Sequence, residues 1–199
     1  HLSIRRQRQM CIRDSLIAPA LGKAAMKIGE LIMLATNLQP FLMGIAVSVL
    51  VGIALTLPIS SAAICAAFGL TGLAGGAAVA GCCAQMVGFA VMSFKENRWG
   101  GLVSQGIGTS MLQMGNIIKN PRIWIAPIVT SAITGPMATC LFKLQMNGTP
   151  VSSGMGTCGF VGQIGVYSGW VADIANGTKT AITGFDWAGL IPVSYTHLR

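Results

Sequence analysis

Residues 31–94 read LIMLATNLQPFLMGIAVSVLVGIALTLPISSAAICAAFGLTGLAGGAAVAGCCAQMVGFAVMSF, 64 residues without one Asp, Glu, Lys or Arg. At about 1.5 Å of rise per residue this gives roughly 95 Å of helix, some three times a bilayer's ~30 Å hydrocarbon core. The composition around it agrees. The 199-residue chain is 53% hydrophobic and 9% charged, with a mean hydropathy of +0.68. A soluble domain carries about 25% charged residues, so this composition cannot supply a water-exposed surface. A soluble enzyme, a nucleic-acid binder and a disordered tail are excluded as principal readings. The expected class is all-α: a polytopic transmembrane helical protein with broken or re-entrant helices.

The formal net charge of +8 points to an anionic partner, but it rests on the chain ends. Arg5-Arg6-Gln7-Arg8-Gln9-Met10-Cys11-Ile12-Arg13-Asp14-Ser15 resembles a translated sequencing-library adapter, and Val193–Leu198 reads as the complementary strand of the same oligonucleotide. Residues 1–15 and 193–199 are therefore expected to be adapter-derived and not native. The competing reading of the N-terminus is a basic juxtamembrane arm drawn to anionic lipid. Within 16–192, expected to be one membrane-embedded domain truncated at both ends, Lys plus Arg falls from 13 to 8 and Asp plus Glu from 5 to 4. The net charge becomes +4, and both histidines, His1 and His197, drop out. Five cysteines remain: Cys65, Cys82, Cys83, Cys140 and Cys158. An odd number in apolar surroundings, without a CxxC pair, reads as small thiols packed between helices, not as a disulfide framework or a zinc site.

Along the chain, Leu16–Glu30 reads as an interfacial amphipathic helix or the charged flank of a span. Phe41–Leu57 is the clearest transmembrane helix, closed by Pro58. Ser61–Phe94 is expected to form a helix over about 62–73, a break near Gly75-Gly76 and a second helix to Phe94, the first one re-entrant. Gly72, Gly76, Ala80, Ala84 and Gly88 recur every four residues, a stripe that would let a neighbouring backbone approach closely. Lys95–Trp99 reads as an interfacial loop. In Gly101–Ile118 the polar Gln105, Thr109, Gln113 and Asn116 fall near one helical face, which either lines a cavity or rests on the membrane surface. Ile123–Phe142 is a span kinked by Pro127 and Gly135-Pro136. Leu144–Ala172, with seven glycines, reads as a loop or hairpin entering the membrane, and Phe185–Pro192 begins a further element. The positive-inside rule puts Lys23/Lys27, Lys95/Arg98 and Lys119/Arg122 on the cytoplasmic side and Lys143 outside. That calls for one span, one re-entrant segment and one more span before Lys95.

Gly154-Met155-Gly156-Thr157-Cys158-Gly159 matches G-x-G-x-x-G, but the strand-then-helix setting of a dinucleotide site is missing from the pattern. Its glycines allow backbone groups to face a ligand directly. In Asn120–Pro127, Pro121 is suited to start a helix and Trp124 to sit at the interface. Arg122 either anchors on headgroups or contacts substrate.

Several separated runs resemble one family: Leu57–Ile64 (LPISSAAI), Gly81–Ala90 (GCCAQMVGFA), Gly106–Gln113 (GIGTSMLQ), Asn120–Pro127 and Gly154–Gly165 (GMGTCGFVGQIG). They are similar to the second enzyme IIC family of the bacterial phosphotransferase system, also labelled perfringolysin-regulator-like membrane proteins. The resemblance implies a multi-pass sugar permease of the bacterial inner membrane with re-entrant hairpins. It is generally dimeric and works beside IIA and IIB components that carry the phosphoryl group. It implies no catalytic residue, cofactor or metal on this chain, and no nucleic-acid partner. Residues 16–192 hold no histidine for phosphoryl relay. A sugar site needs planar polar groups and an aromatic face, and the candidates are Gln85, Glu96, Gln105, Thr109, Gln113, Asn116, Asn120, Arg122, Trp124 and Gln163. Glu96 is the one acid between Glu30 and Asp173, suited either to bind hydroxyls or to pair with Lys95 or Arg98. The site is expected where discontinuous segments 61–75, 104–124 and 150–165 meet near mid-membrane. A small-molecule-sensing regulator and a gradient-driven secondary transporter remain the alternatives.

Overall fold

The computed structural model describes residues 39–57 and 59–177, with Lys23, Lys27, Glu30, Ile182, Gly184, Asp186, Trp187 and Leu190 as single positions. Apart from those positions, the expected helix over 16–30, the element at 185–192 and both adapter-like ends lie outside the described residues.

Among the described residues the fold is all helical, without a named strand. Helix α1 (Pro40–Thr56) starts on a proline, where a missing amide costs nothing, and stops at Leu57, held extended ahead of Pro58. The short α2 (Ser61–Ala67) is capped by Ser60, whose hydroxyl accepts from the Ala63 amide at 3.2 Å. It ends where Gly69 turns left-handed at φ +58°. Helix α3 (Gly72–Val103) then runs unbroken through Gly75-Gly76, so the expected break lies at 68–71 instead. The glycine pair has another role: a Cβ at Gly76 would strike the Leu144 carbonyl.

Helix α3 packs parallel to α1. A Cβ on Gly81 would meet Ser48, and one on Gly52 would meet the Gln85 side chain at 2.9 Å and the Gly81 carbonyl at 3.1 Å. Helix α5 (Ile125–Pro136) crosses α1 antiparallel, with Gly135 against Gly44 and the Ser48 hydroxyl donating to the Ser131 carbonyl at 2.7 Å. Gly44, Ser48 and Gly52, spaced by four on α1, thus form the seam of a three-helix core. Part of the expected α3 stripe serves the same end, for Gly88 rests on Pro127 at 3.4 Å. Because α1 and α3 are parallel, residues 57–71 must return the chain from one end of the bundle to the other. They cross it as a broken segment, which corrects the re-entrant dip expected between two spans.

Two hairpins fill the remaining sides. At Arg98 the backbone leaves the helical region (φ 49°, ψ −138°) and reverses, bringing Gly101 onto Ser93 and Gly106 onto Ala90. The reversal coincides with the expected interfacial loop. The chain then unwinds as a π turn (Ser104–Gly108), an extended Thr109, a 3-10 turn (Ser110–Gln113) and α4 (Met114–Lys119). The single polar-faced helix expected over 101–118 is therefore broken at Thr109, whose hydroxyl caps the Met111 amide. The expected kink in 123–142 takes the form of a π turn, Met137–Leu141, directly after Pro136. The second hairpin descends through α6 (Pro150–Ser153) to a turn at 154–160 and returns on α7 (Val161–Ala175). Of the expected loop or hairpin, the structure has the hairpin, with a 15-residue helix as its returning limb. Gly162, Gly165 and Gly169 share one face of α7, where a Cβ would strike the descending limb at Gly156, Ser152 and Gly148.

Gly81→Val places a branched side chain against the Ser48 carbonyl, which cannot rotate away. The expected cost is at least the upper end of ordinary overpacking, about 3 kcal/mol. At roughly 2–4 °C per kcal/mol that lowers the melting midpoint in detergent by some 6–12 °C. Gly115→Ala, where a Cβ meets nothing within 4 Å, should leave the midpoint unchanged or slightly raised.

Candidate functional site

The two hairpins enter from opposite ends of α3 and touch at their tips. The Thr157 hydroxyl donates to the Gly106 carbonyl and also lies 3.5 Å from the Met86 sulfur. Met86 is 14 residues from Gly72 and 12 from Arg98, about 21 and 18 Å along the helix, so the tips meet near its midpoint. The crossing segment joins them there. Ser61 Oγ donates to the Gly154 carbonyl at 2.8 Å, and the Cys82 thiol approaches the same oxygen at 3.5 Å. Gly156 has φ +55°, and a Cβ there would strike Cys82 and Cys83. Only glycine satisfies both demands.

A cavity of about 390 Å³ opens at the Arg98 end. Ser93 and Glu96 of α3 face Gln113, Asn116, Lys119 and Asn120 of the returning hairpin across it. The amides form a relay: Asn116 Nδ2 donates to Gln113 Oε1 at 2.7 Å, and Gln113 Nε2 donates to the buried Gln105 Oε1 at 3.1 Å. Asn97 Nδ2 donates to Ser93 Oγ at 3.1 Å, holding the α3 wall in place. Lys95, Arg98, Lys119 and Arg122 gather near this end, so its field is positive. A second cavity of about 330 Å³ lies at the Gly72 end, lined by Lys143, Gln145, Asn147, Trp170, Asp173 and Asp186 among others.

The family model described as Phosphotransferase system, EIIC, matches residues 12–192. The chain belongs to that family. No curated protein and no solved structure matches it. Membership, together with two helical stretches long and apolar enough to cross a bilayer (Gly72–Gly108 and Pro121–Leu141), points to a membrane protein. It also points to a phosphotransferase setting with other enzyme II components.

Of the ten candidate residues in this EIIC chain, Glu96, Gln113, Asn116 and Asn120 share the Arg98-end cavity, and Gln105 reaches it through the relay. The other five lie elsewhere. Gln85 is fully buried in the α1–α3 seam, and neither of its amide atoms has a hydrogen-bond partner among the described residues. Gln163 sits on α7 with its amide nitrogen 3.5 Å from the Cys83 sulfur. Thr109 is a helix cap. Arg122 is exposed on the 3-10 turn Pro121–Trp124, and Trp124 is half-buried behind it. Of the cysteines, Cys65, Cys82 and Cys83 are buried between helices while Cys140 is exposed.

Sequence reasoning missed the Gly72-end cavity. Its residues span 142–186, and nothing in their spacing brings them together without the hairpin that folds α7 back onto 146–153. Asp173 offered the one usable signal, an acid closing an otherwise charge-free run.

Gln113→Ala removes the centre of the amide relay and leaves the buried Gln105 amide without its partner. The expected loss is about 1–3 kcal/mol, read as a lower melting midpoint in detergent. Asn116→Ala removes only the outer, exposed arm and should cost less than half as much.

Proposed function

We propose that this chain forms the substrate-conducting membrane part of a phosphotransferase sugar permease, with the phosphoryl carriers on separate IIA and IIB components. The observation that carries the reading is the meeting of two opposed, broken hairpins at Thr157 and Gly106, midway along the longest helix. Non-helical backbone at membrane depth survives only where protein or a water-filled path covers it, and transporters use such breaks at the substrate path. The Arg98-end cavity supplies what polyhydroxylated binding needs: a carboxylate at Glu96, three amides at Gln113, Asn116 and Asn120, and an ammonium at Lys119. The chain's own contribution is to bind, orient and pass the sugar. Phosphoryl transfer calls for an accessible nucleophile at the partner-facing end, and residues 16–192 carry no histidine for it.

In this reading the protein is multi-pass, sits in the bacterial inner membrane and works as a homodimer. The positive Arg98 end faces the cytoplasm, where Lys95, Arg98, Lys119 and Arg122 meet anionic headgroups and phosphorylated partners. Lys143 then lies outside.

Membrane vesicles carrying the chain with its IIA and IIB partners should take up sugar only when phosphoenolpyruvate is supplied, and should accumulate the phosphorylated product. Glu96→Gln and Asn120→Ala should each lower uptake by at least ten-fold with membrane abundance unchanged. Uptake abolished by an ionophore and indifferent to phosphoenolpyruvate would identify a gradient-driven carrier, and saturable binding without uptake a sensor.

A further inference from the structure

Beneath the Arg98-end cavity, polar groups stand buried and unpaired. Gln85, Phe89, Met92 and Glu96 follow one another on α3 by four, three and four residues, so they share one face of the helix. Met92 and Glu96 line the cavity, whereas Phe89 and Gln85 are fully buried. Gln85 is seven residues from Met92, about 10 Å along the axis toward the helix midpoint. Its side chain lies over Gly52 of α1, where a Cβ would come within 2.9 Å of its Cγ, and neither of its amide atoms has a hydrogen-bond partner among the described residues.

The opposite wall repeats the pattern. In a 3-10 turn, side chains three positions apart eclipse one another. Of the turn Ser110–Gln113, which packs against both α1 and α3, Gln113 lines the cavity while Ser110 is fully buried with its hydroxyl unpartnered. Ser110 is also the end of the turn nearer in sequence to Gly106, where the hairpin tips meet. Trp124, next to the lining Ile123, carries a third such group, its buried indole N–H. A buried amide or hydroxyl without a partner forfeits its hydration for nothing, and lipid cannot supply what the protein withholds. The amide of Gln85 gives and accepts, the Ser110 hydroxyl does both, and the indole gives, which together complement the hydroxyl groups of a ligand. On the shared face of α3, the side chain between Gln85 and the cavity is the phenyl ring of Phe89, which offers no hydrogen bond.

We propose that Phe89 closes the Arg98-end cavity over an inner site at Gln85 and Ser110, which takes the substrate's hydroxyl groups once the ring swings aside. The proposal rests on the permease reading and adds to it an inner site and its gate. Water offers the same hydroxyl chemistry, and the experiment separates the two. In the full chain with its native cysteines replaced, Gln85→Cys is exposed in membrane vesicles to a small methanethiosulfonate, which reacts with the thiolate of a hydrated cysteine. Labelling should be slow, and at least ten-fold faster when Phe89→Ala is added. Val79→Cys, buried in a separate cluster with Met146 and Val166, should be unmoved by the same change. Labelling at 85 indifferent to Phe89→Ala would overturn the gate. Gln85→Met keeps the length of the side chain and removes the amide, so its melting midpoint in detergent should equal or exceed the parent's. A lower midpoint would show that the amide is paired and would overturn the proposal even if Phe89→Ala does not fold. In vesicles with the IIA and IIB partners and phosphoenolpyruvate, Gln85→Met should reduce at least ten-fold the uptake of whichever of D-glucose, D-galactose and D-mannose the parent accumulates. Full uptake by Gln85→Met beside faster labelling means that water alone enters, which overturns the inner site as a substrate site and leaves the permease reading standing. A parent that accumulates none of the three fails the permease reading itself, and the proposal falls with it.

Discussion

Backbone-to-backbone packing of α1 on α3 and α5 is the constraint on which the rest of the structure depends. Lipid offers no partner for an unpaired amide or carbonyl, so a broken segment at membrane depth must be covered by protein. Covering it requires helices that approach more closely than ordinary side chains allow. Gly44, Ser48 and Gly52 on one helix, with Gly81 and Gly135 on its neighbours, provide that approach. The Ser48 hydroxyl then closes on the Ser131 carbonyl, and the Thr139 hydroxyl on the Pro40 carbonyl at 3.0 Å. With this core fixed, α2 and the two hairpins lie against α3, and side-chain hydroxyls meet two of the carbonyls at the hairpin tips. Ser61 serves Gly154, and Thr157 serves Gly106.

The same packing sets the polarity of the molecule. Reversal at Arg98 brings Glu96 opposite the amides of 113–120, and return of α7 onto 146–153 brings Asp173 beside Asn147 and Lys143. Two polar cavities therefore stand towards the two ends of one helix, divided by a contact between hairpin tips.

Much of the fold was legible because the bilayer restricts what a sequence can encode. The 64-residue charge-free run reads as membrane-spanning, and α1 follows the reading of Phe41–Leu57 to within a residue. Breaks were harder, since glycine has two uses that look alike in sequence. Gly75-Gly76 reads as a break but serves close packing, while Gly69 and Gly72 carry the left-handed turn. The same ambiguity hid α7, whose glycines permit contact with the opposite limb and do not interrupt the helix. At the site, helical spacing correctly grouped Gln105, Gln113 and Asn116, although Thr109 breaks the helix that the spacing assumed. Chemical type alone points to Gln85, and type does not reveal that packing seals this residue into the core. The Gly72-end cavity needed contacts between residues some thirty positions apart, which no local pattern encodes.

Opposed entry of the two hairpins is the central claim. Its most direct measurement is labelling of single cysteines in sealed, oriented vesicles by a membrane-impermeant maleimide. In a background with the native cysteines replaced, Arg98→Cys and Asn147→Cys should be labelled from opposite faces, and Thr157→Cys from neither while the tips are closed. Labelling of Arg98→Cys and Asn147→Cys from the same face would contradict the account.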